Sequence, residues 1–296
     1  MGNNASFLLV DKKRDITSFS ALRTVKYGID KKVGHAGTLD RFAEGLLLVF
    51  TGSMTHLNNI FSSLDKSYDA TITFGSETDT LDPDGRVIAE GPVPSFECVR
   101  RLIDEKFLGT MEQVPPSYSA VHVNGARASK LTRQGIEVEI LPRTIQIHRF
   151  EIFSYEDGNL KCRISVSKGT YIRSIARDLG RMTGGYAHLS ALRRIQIGPY
   201  SVDEAVGCDD EDALRSAMGK SVPLLLRLPS MRKMEAPLSL RWPMANGRYC
   251  PSLVPLDEKE DARYALVISE GKLRWIVDRK EEKILCQIGG ESNETA

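Results

Sequence analysis

Gly34-His35-Ala36-Gly37-Thr38-Leu39-Asp40 leads, through Arg41 to Gly45, into the apolar run Leu46-Leu47-Leu48-Val49-Phe50. A run this short, bounded by Gly45 and Gly52, predicts a buried strand rather than a long helix. The stretch before it packs two glycines, an imidazole, a hydroxyl and a carboxylate into a loop anchored to a core element. Such anchoring is how a scaffold holds a reactive side chain still. Gly34 and Gly37 allow positive φ or close approach of the backbone. On these residues alone two readings stay open: a Gly-rich turn with Asp40 as a local cap, or a loop that presents the Asp40 carboxylate.

A chain of 296 residues suits one large domain, or a domain with a small appendage. Its 41% hydrophobic and 27% charged residues describe a globular protein, and no apolar stretch is long enough to span a bilayer. Phe7-Leu8-Leu9-Val10 is too short for a signal-peptide core and runs at once into Asp11-Lys12-Lys13-Arg14, so the expected location is the cytoplasm. Cys98, Cys162, Cys208, Cys250 and Cys286 are scattered without a C-x-x-C pair, which argues against a zinc site and a disulfide framework. The formal charge of +1 hides an uneven distribution. Lys161, Arg163, Lys168, Arg173, Arg177, Arg181, Arg193 and Arg194 face only Asp178 within their stretch, while Glu77, Asp79, Asp82, Asp84 and Glu90 crowd another. The basic stretch reads either as a polyanion-binding face or as a solvated helical surface.

The pattern along the chain is mixed α and β without repeats. Phe7 to Asp11 predicts a strand, and Thr17 or Ser18 caps a helix carrying Leu22, Val25 and Ile29. Tyr68, Ala70, Ile72 and Phe74 alternate with polar residues, as do Leu160, Cys162, Ile164 and Val166, and both predict half-buried strands. Ser95 starts a helix through Phe107, closed by Gly109. A further helix from Ile172 to Thr183 places Ile172, Ile175, Ala176, Leu179 and Met182 on one face, with Gly184 ending it. Between Val114 and Arg143 lies a basic excursion, bounded by prolines, that could close over a ligand. From Ser230 the pattern predicts a small β-rich domain with turns at Asn246-Gly247 and Glu270-Gly271, and an acidic-leaning tail after Gly289.

The segment GHAGTLDRFAEG, residues 34–45, resembles the signature of the TruB family of tRNA pseudouridine-55 synthases. Further motifs of that family appear in order. Lys66-Ser67-Tyr68 is similar to its K-x-Y, Thr78 to Gly85 to its T-D-T-x-D-x-x-G, and Gln113 to Ala120 to its Q-x-P-P-x-[YF]-S-A. Gly169 to Ser174 is similar to G-T-Y-I-R-[ST], and Ala187 to Arg194 to A-H-L-x-x-L-R-R. Several motifs in order over roughly the first 200 residues are far less prone to chance than any single pattern. Two departures stand out. Arg41-Phe42 follows the aspartate where the family usually has proline, and the C-terminal part matches only loosely near Ala245-Asn246-Gly247.

The resemblance implies a chemistry. Asp40 takes the catalytic place, as nucleophile or base toward the sugar C1′–C2′ region. Arg173 pairs with it; a neighbouring cation orients a carboxylate and favours its charged form. Arg173 falls in the first turn of its helix, where the dipole disfavours a cation, which points to a specific anionic partner. Tyr68 stacks on the target base in the family reading and is a core aromatic in the plain one. His35 fills the space of a flipped nucleotide or supports its loop, and Gly37, Thr38, Leu39 and Tyr171 join it in binding substrate. Leu189 lines the pocket, or is simply a core leucine. Arg127, Lys130, Arg133, Arg193 and Arg194 hold phosphates.

The expected architecture is an α+β pseudouridine synthase fold. Its mixed, mainly antiparallel sheet has flanking helices and a central RNA-binding cleft, and a small PUA-like β-barrel follows. The catalytic domain spans 1–229, with 114–143 as an RNA-clamping insertion, and the appendage spans 230–296. The implied partner is the T-arm stem-loop of tRNA, acted on by a monomer with no cofactor, metal, membrane or obligatory protein partner. The alternatives are an RNA-guided relative and a non-catalytic tRNA-binding or folding protein.

Overall fold

The computed structural model describes residues 5–123 and 125–289, so the tail after Gly289 lies outside the described residues. Along the chain, β1 (Phe7–Lys12) precedes the short helices α1 (Ser18–Ala21) and α2 (Arg23–Gly28), then β2 (Val33–Ala36), β3 (Glu44–Thr51) and α3 (Asn58–Ser62). Next come β4 (Lys66–Phe74), β5 (Ser76–Thr78), β6 (Val87–Glu90), α4 (Phe96–Lys106), β7 (Gly109–Gln113), β8 (His122–Val123), β9 (Ala126–Arg127) and α5 (Ala128–Arg133). They lead to β10 (Arg143–Glu156), β11 (Asn159–Val166), α6 (Ile172–Met182) and β12 (Ala187–Ile197). The last part holds β13 (Tyr200–Ser201), β14 (Val206–Gly207), α7 (Glu211–Ala217), α8 (Ser221–Leu225), β15 (Met231–Glu235), α9 (Leu238–Ala245), β16 (Val254–Pro255), β17 (Tyr264–Ser269), β18 (Lys272–Asp278) and β19 (Lys283–Gln287).

These elements form two compact units, one of residues 40–45 and 64–198, the other of the described residues in 5–39, 46–63 and 199–289. In the first, the strands run β12-β4-β11-β10-β7, all antiparallel, and the opening residues of β3 add a parallel pairing, Glu44 with Arg193 and Gly45 with Arg194. The period-two pattern of β4 becomes strict alternation of buried and half-buried residues. On its outer face Asp69 stands opposite Arg163 of β11, and the two make a two-pronged ion pair at 2.7 and 2.9 Å. Gly45 has φ +107°, and a Cβ there would strike the Arg194 carbonyl and lie 2.7 Å from its nitrogen. Only glycine permits this pairing of β3 with β12.

Helix α6 buries Ile172, Ile175, Ala176 and Leu179 as expected. Met182 departs from the expected face: it is 51% exposed, because the apolar stripe ends one turn before the helix does. The basic stretch 161–200 is also not a bare cationic surface. Arg163 pairs with Asp69, Arg177 with Asp178, Arg181 with Glu77, and Arg193 lies 3.6 Å from Glu44. Part of the acidic crowding in 76–90 therefore serves as counter-charge for α6.

In the second unit, β1 pairs in parallel with β14, and β2 runs antiparallel to β3, His35 opposite Val49. The helix expected from Thr17 divides into α1 and α2, since the turn tightens at Leu22, whose N–H bonds the i−3 carbonyl of Phe19. Phe7, Phe50, Phe61 and Tyr200 pack ring on ring, Phe7 and Phe50 stacked at 4.8 Å. The C-terminal sheet runs β16-β15-β17-β18-β19 around its own core of Met234, Met244, Val267, Trp275 and Val277. Among the described residues no pairing closes β16 onto β19. Glu270-Gly271 makes the β17–β18 hairpin turn, with φ +51° and +72° as a type I′ turn demands. Asn246-Gly247 does not join strands as expected; it ends α9, a helix that strand-type alternation does not reveal.

Candidate active site

The connection from β2 to β3, residues 37–43, carries Asp40. The first half of the expected loop is thus strand: Gly34, His35 and Ala36 belong to β2, and only at Gly37, φ +89°, does the chain turn away. Asp40 is held by charge rather than acting as a local cap. Its Oδ1 accepts a hydrogen bond from Arg173 Nη2 at 2.9 Å, and its Oδ2 lies 2.8 Å from Arg173 Nε, a charge contact more than an aligned hydrogen bond.

Arg173 is itself 4% exposed, so its charge must be satisfied by protein. Nη1 donates to the Thr80 carbonyl at 2.8 Å and Nη2 to the Tyr118 carbonyl at 3.0 Å. A second carboxylate, Asp82, stands 3.5 Å from Nη1. Two anions and two carbonyl dipoles at the first turn of α6 answer the conflict between a cation and the positive helix end. The carboxylates differ in access. Asp82 is buried, whereas the Asp40 side chain is 37% exposed and is the one a ligand could reach. Burial pushes the Asp82 carboxyl above the usual carboxylate range, with the Asp40 charge adding to the rise and Thr80 and Arg173 opposing it.

Asp82 sits in a tight turn. Thr78 Oγ1 donates to its carbonyl at 2.8 Å and Thr80 Oγ1 to its Oδ1 at 2.5 Å, while Leu81 is forced to φ +62°. A leucine in that region is strained and persists only where its surroundings fix it. The fixing group is the Leu189 N–H, which bonds the Leu81 carbonyl at 3.1 Å. Leu189 itself is a fully buried core side chain, and its visible contribution is this backbone bond.

The start of α6 is fastened to the segment after β7. Gln113 Nε2 donates to the Tyr171 carbonyl at 3.1 Å, and the Tyr171 N–H donates to Gln113 Oε1 at 2.8 Å. The Arg143 guanidinium lies over the Tyr171 ring at 5.7 Å. Val114 O accepts from Ser174 and Arg177, each at 2.9 Å. On the N-terminal side of Asp40 in sequence, Ser18 Oγ bonds both backbone groups of Leu39, each at 2.9 Å. Thr17 is the N-cap of α1, accepting from the Ser20 N–H, which leaves the Ser18 hydroxyl for Leu39.

Tyr68 is buried on β4 and lies across β12 from Gly45, since Arg194 pairs with both. Lys66 shares its face of β4, and burial pushes its ammonium down to about 8, with the Arg194 charge adding to the fall. His35 is half-buried on β2, Thr38 is exposed and Leu39 is buried. Arg127 caps α5, and Lys130 and Arg133 lie on it. Arg127, Lys130 and Arg133 are all exposed. Arg194 corrects an expectation. Its side chain is 1% exposed, because the inward face of β12 turns it under the sheet, and a buried guanidinium has no surface for a phosphate. Asp82, Gln113, Ser18 and the Tyr118 carbonyl do not stand out in the sequence as site residues, although three of the four lie inside the family motifs. Among the described residues no group of three or more His, Cys, Asp and Glu is placed to hold a metal.

The N-terminal domain model of TruB family pseudouridylate synthases matches residues 25–172, and the C-terminal domain model of tRNA pseudouridylate synthase B matches 173–219. The tRNA pseudouridine synthase B of Bordetella avium is 43% identical over 211 residues, covering 70% of this chain and 86% of that protein. The protein of the same name from Psychrobacter cryohalolentis is 40% identical over 214 residues, covering 70% of this chain but only 60% of its relative. A chain of a solved Cbf5–Nop10–Gar1 complex shares the fold, with TM-score 0.64 and 22% identity over 97% of this chain and 84% of that one. The mixed α+β arrangement is thus that of the pseudouridine synthases, and the chain belongs to the TruB family of pseudouridylate synthases.

Proposed function

We propose that the protein isomerises uridine-55 in the T arm of tRNA to pseudouridine, with Asp40 as the group that acts on the sugar. The C1′–N1 bond breaks, the base turns within the site, and a C1′–C5 bond forms; the C5 proton departs and N1 gains one. No electrons are exchanged and no water is consumed. The observation that carries this is the contact of a reachable Asp40 carboxylate with a buried Arg173 whose remaining donors are already committed. Such a guanidinium holds the carboxylate at a fixed place without competing for it.

The other roles are those that the family resemblance implies. Tyr68 stacks on the extruded base, His35, Gly37, Thr38, Leu39, Leu189 and Tyr171 support the flipped nucleotide, and Arg127, Lys130, Arg133 and Arg193 hold phosphates. Residues 230–289 form a PUA-like appendage. The reading also implies a cytoplasmic monomer needing no cofactor or partner protein.

Tritium release from 5-labelled uridine in a bare T-arm stem-loop, with chelator present, tests the whole. Asp40→Asn or Asp40→Ala abolishes release while RNA affinity stays broadly intact. Turnover like that of the wild type in either variant would refute Asp40. Absence of release from wild type without a guide RNA would favour the guided or non-catalytic alternatives.

A further inference from the structure

Residues 113–121 are fastened on two sides within one unit. One side is α6, through Gln113, Val114 and the Tyr118 carbonyl that accepts from Arg173. The other is α5. Thr132 Oγ1 donates to the Ser117 carbonyl at 3.2 Å, the Ser129 N–H to the Ser119 carbonyl at 3.1 Å, and the Ala128 N–H to the Val121 carbonyl at 2.7 Å. The two amides belong to the first turn of α5, where helical N–H groups have no partner inside the helix. The Tyr118 carbonyl therefore sits between two carbonyls, Ser117 and Ser119, that α5 holds. It is also one of the two carbonyls that orient Arg173. The same α5 bears the cations Lys130 and Arg133, with Arg127 at its cap.

We infer that α5 positions Arg173 through the Tyr118 carbonyl, so that RNA engaged by the cations of α5 sets the geometry of the Asp40–Arg173 pair. Thr132 is then a positioning residue. This rests on the isomerase reading above. Binding energy gained at α5 is spent on orienting the guanidinium, which accelerates the chemical step rather than tightening binding. Thr132 suits a test because its single proton is shared between the Ser117 carbonyl and its own i−4 carbonyl, Ala128 O at 3.0 Å. Losing the hydroxyl releases Ser117 but leaves the backbone bonds of the helix in place.

The experiment uses the full chain and the labelled T-arm stem-loop, reading the single-turnover rate at saturating RNA and the dissociation constant separately. Thr132→Val lowers the saturated rate about tenfold with the dissociation constant within about twofold, and Thr132→Ser restores the rate. Ser129→Pro, which removes one tether at a first-turn position tolerant of proline, lowers the rate in the same way. Thermal midpoints identify the variants that remain folded. A folded Thr132→Val or Ser129→Pro with the wild-type saturated rate overturns the inference. So does a loss confined to affinity, or one that Thr132→Ser fails to restore. Absence of tritium release from wild type strikes the isomerase reading instead.

Discussion

Arg173 holds two carboxylates that play different parts. Asp40 is open to a ligand, and Asp82 is a buried second carboxylate on the same guanidinium. Leaving a buried charge uncompensated costs about 3–5 kcal/mol, so a single partner with more than a third of its surface in water would hold this guanidinium poorly. Asp82 carries its own cost, visible in its raised pKa. A carboxyl whose folded pKa exceeds its unfolded value binds its proton more tightly when folded, so stability falls as pH rises through that window. Asp82→Asn removes this dependence. Thermal midpoints from about pH 4 to neutrality are expected to show the wild type losing ground to the variant as pH rises, and parallel curves would contradict the burial argument. The Asp40–Arg173 contact was legible through the family motifs, while the place of Arg173 in a first helical turn asked only for some anionic partner. Asp82 was not, since an aspartate in a run of acidic turn residues looks solvated until the fold shows what covers it.

Elements place these residues through backbone register. Gly45 lets β3 meet β12 at Arg194, and that meeting fixes the start of β3 just after the Asp40 connection. Gly45→Ala forces a Cβ onto the Arg194 backbone at a φ unsuited to L-residues. A loss of about 3 kcal/mol in urea unfolding is expected, far above the cost of an ordinary exposed Gly→Ala change. Strand periods in β4 and β11 and the apolar stripe of α6 were readable because each has one face in the core and one outside. The division of α1 from α2 and the presence of α9 were not. A serine hydroxyl taken up by Leu39, and a short apolar segment interrupted by Pro243, leave no period to read.

At the scale of the whole molecule, the net charge of +1 conceals how cations are used. Several arginines of 161–200 are matched by carboxylates, while Arg127, Lys130 and Arg133 stand on or beside α5. Replacing those three by alanine is expected to make the log–log salt dependence of RNA affinity shallower by about 2, near 0.7 for each phosphate no longer neutralised on single-stranded RNA. Arg194→Ala is expected to leave that slope alone and to cost stability instead, because its guanidinium lies under the sheet. The sequence by itself determined the family and the main strands and pointed to Asp40 and Arg173 as a pair, since these are carried by ordered motifs and local periodicity. Which cations reach water, which second carboxylate steadies Arg173, and how residues 113–121 join α5 to α6 were decided only in three dimensions. Burial and hydrogen-bond partners across distant segments are properties of the packed chain, and no local pattern of residues encodes them.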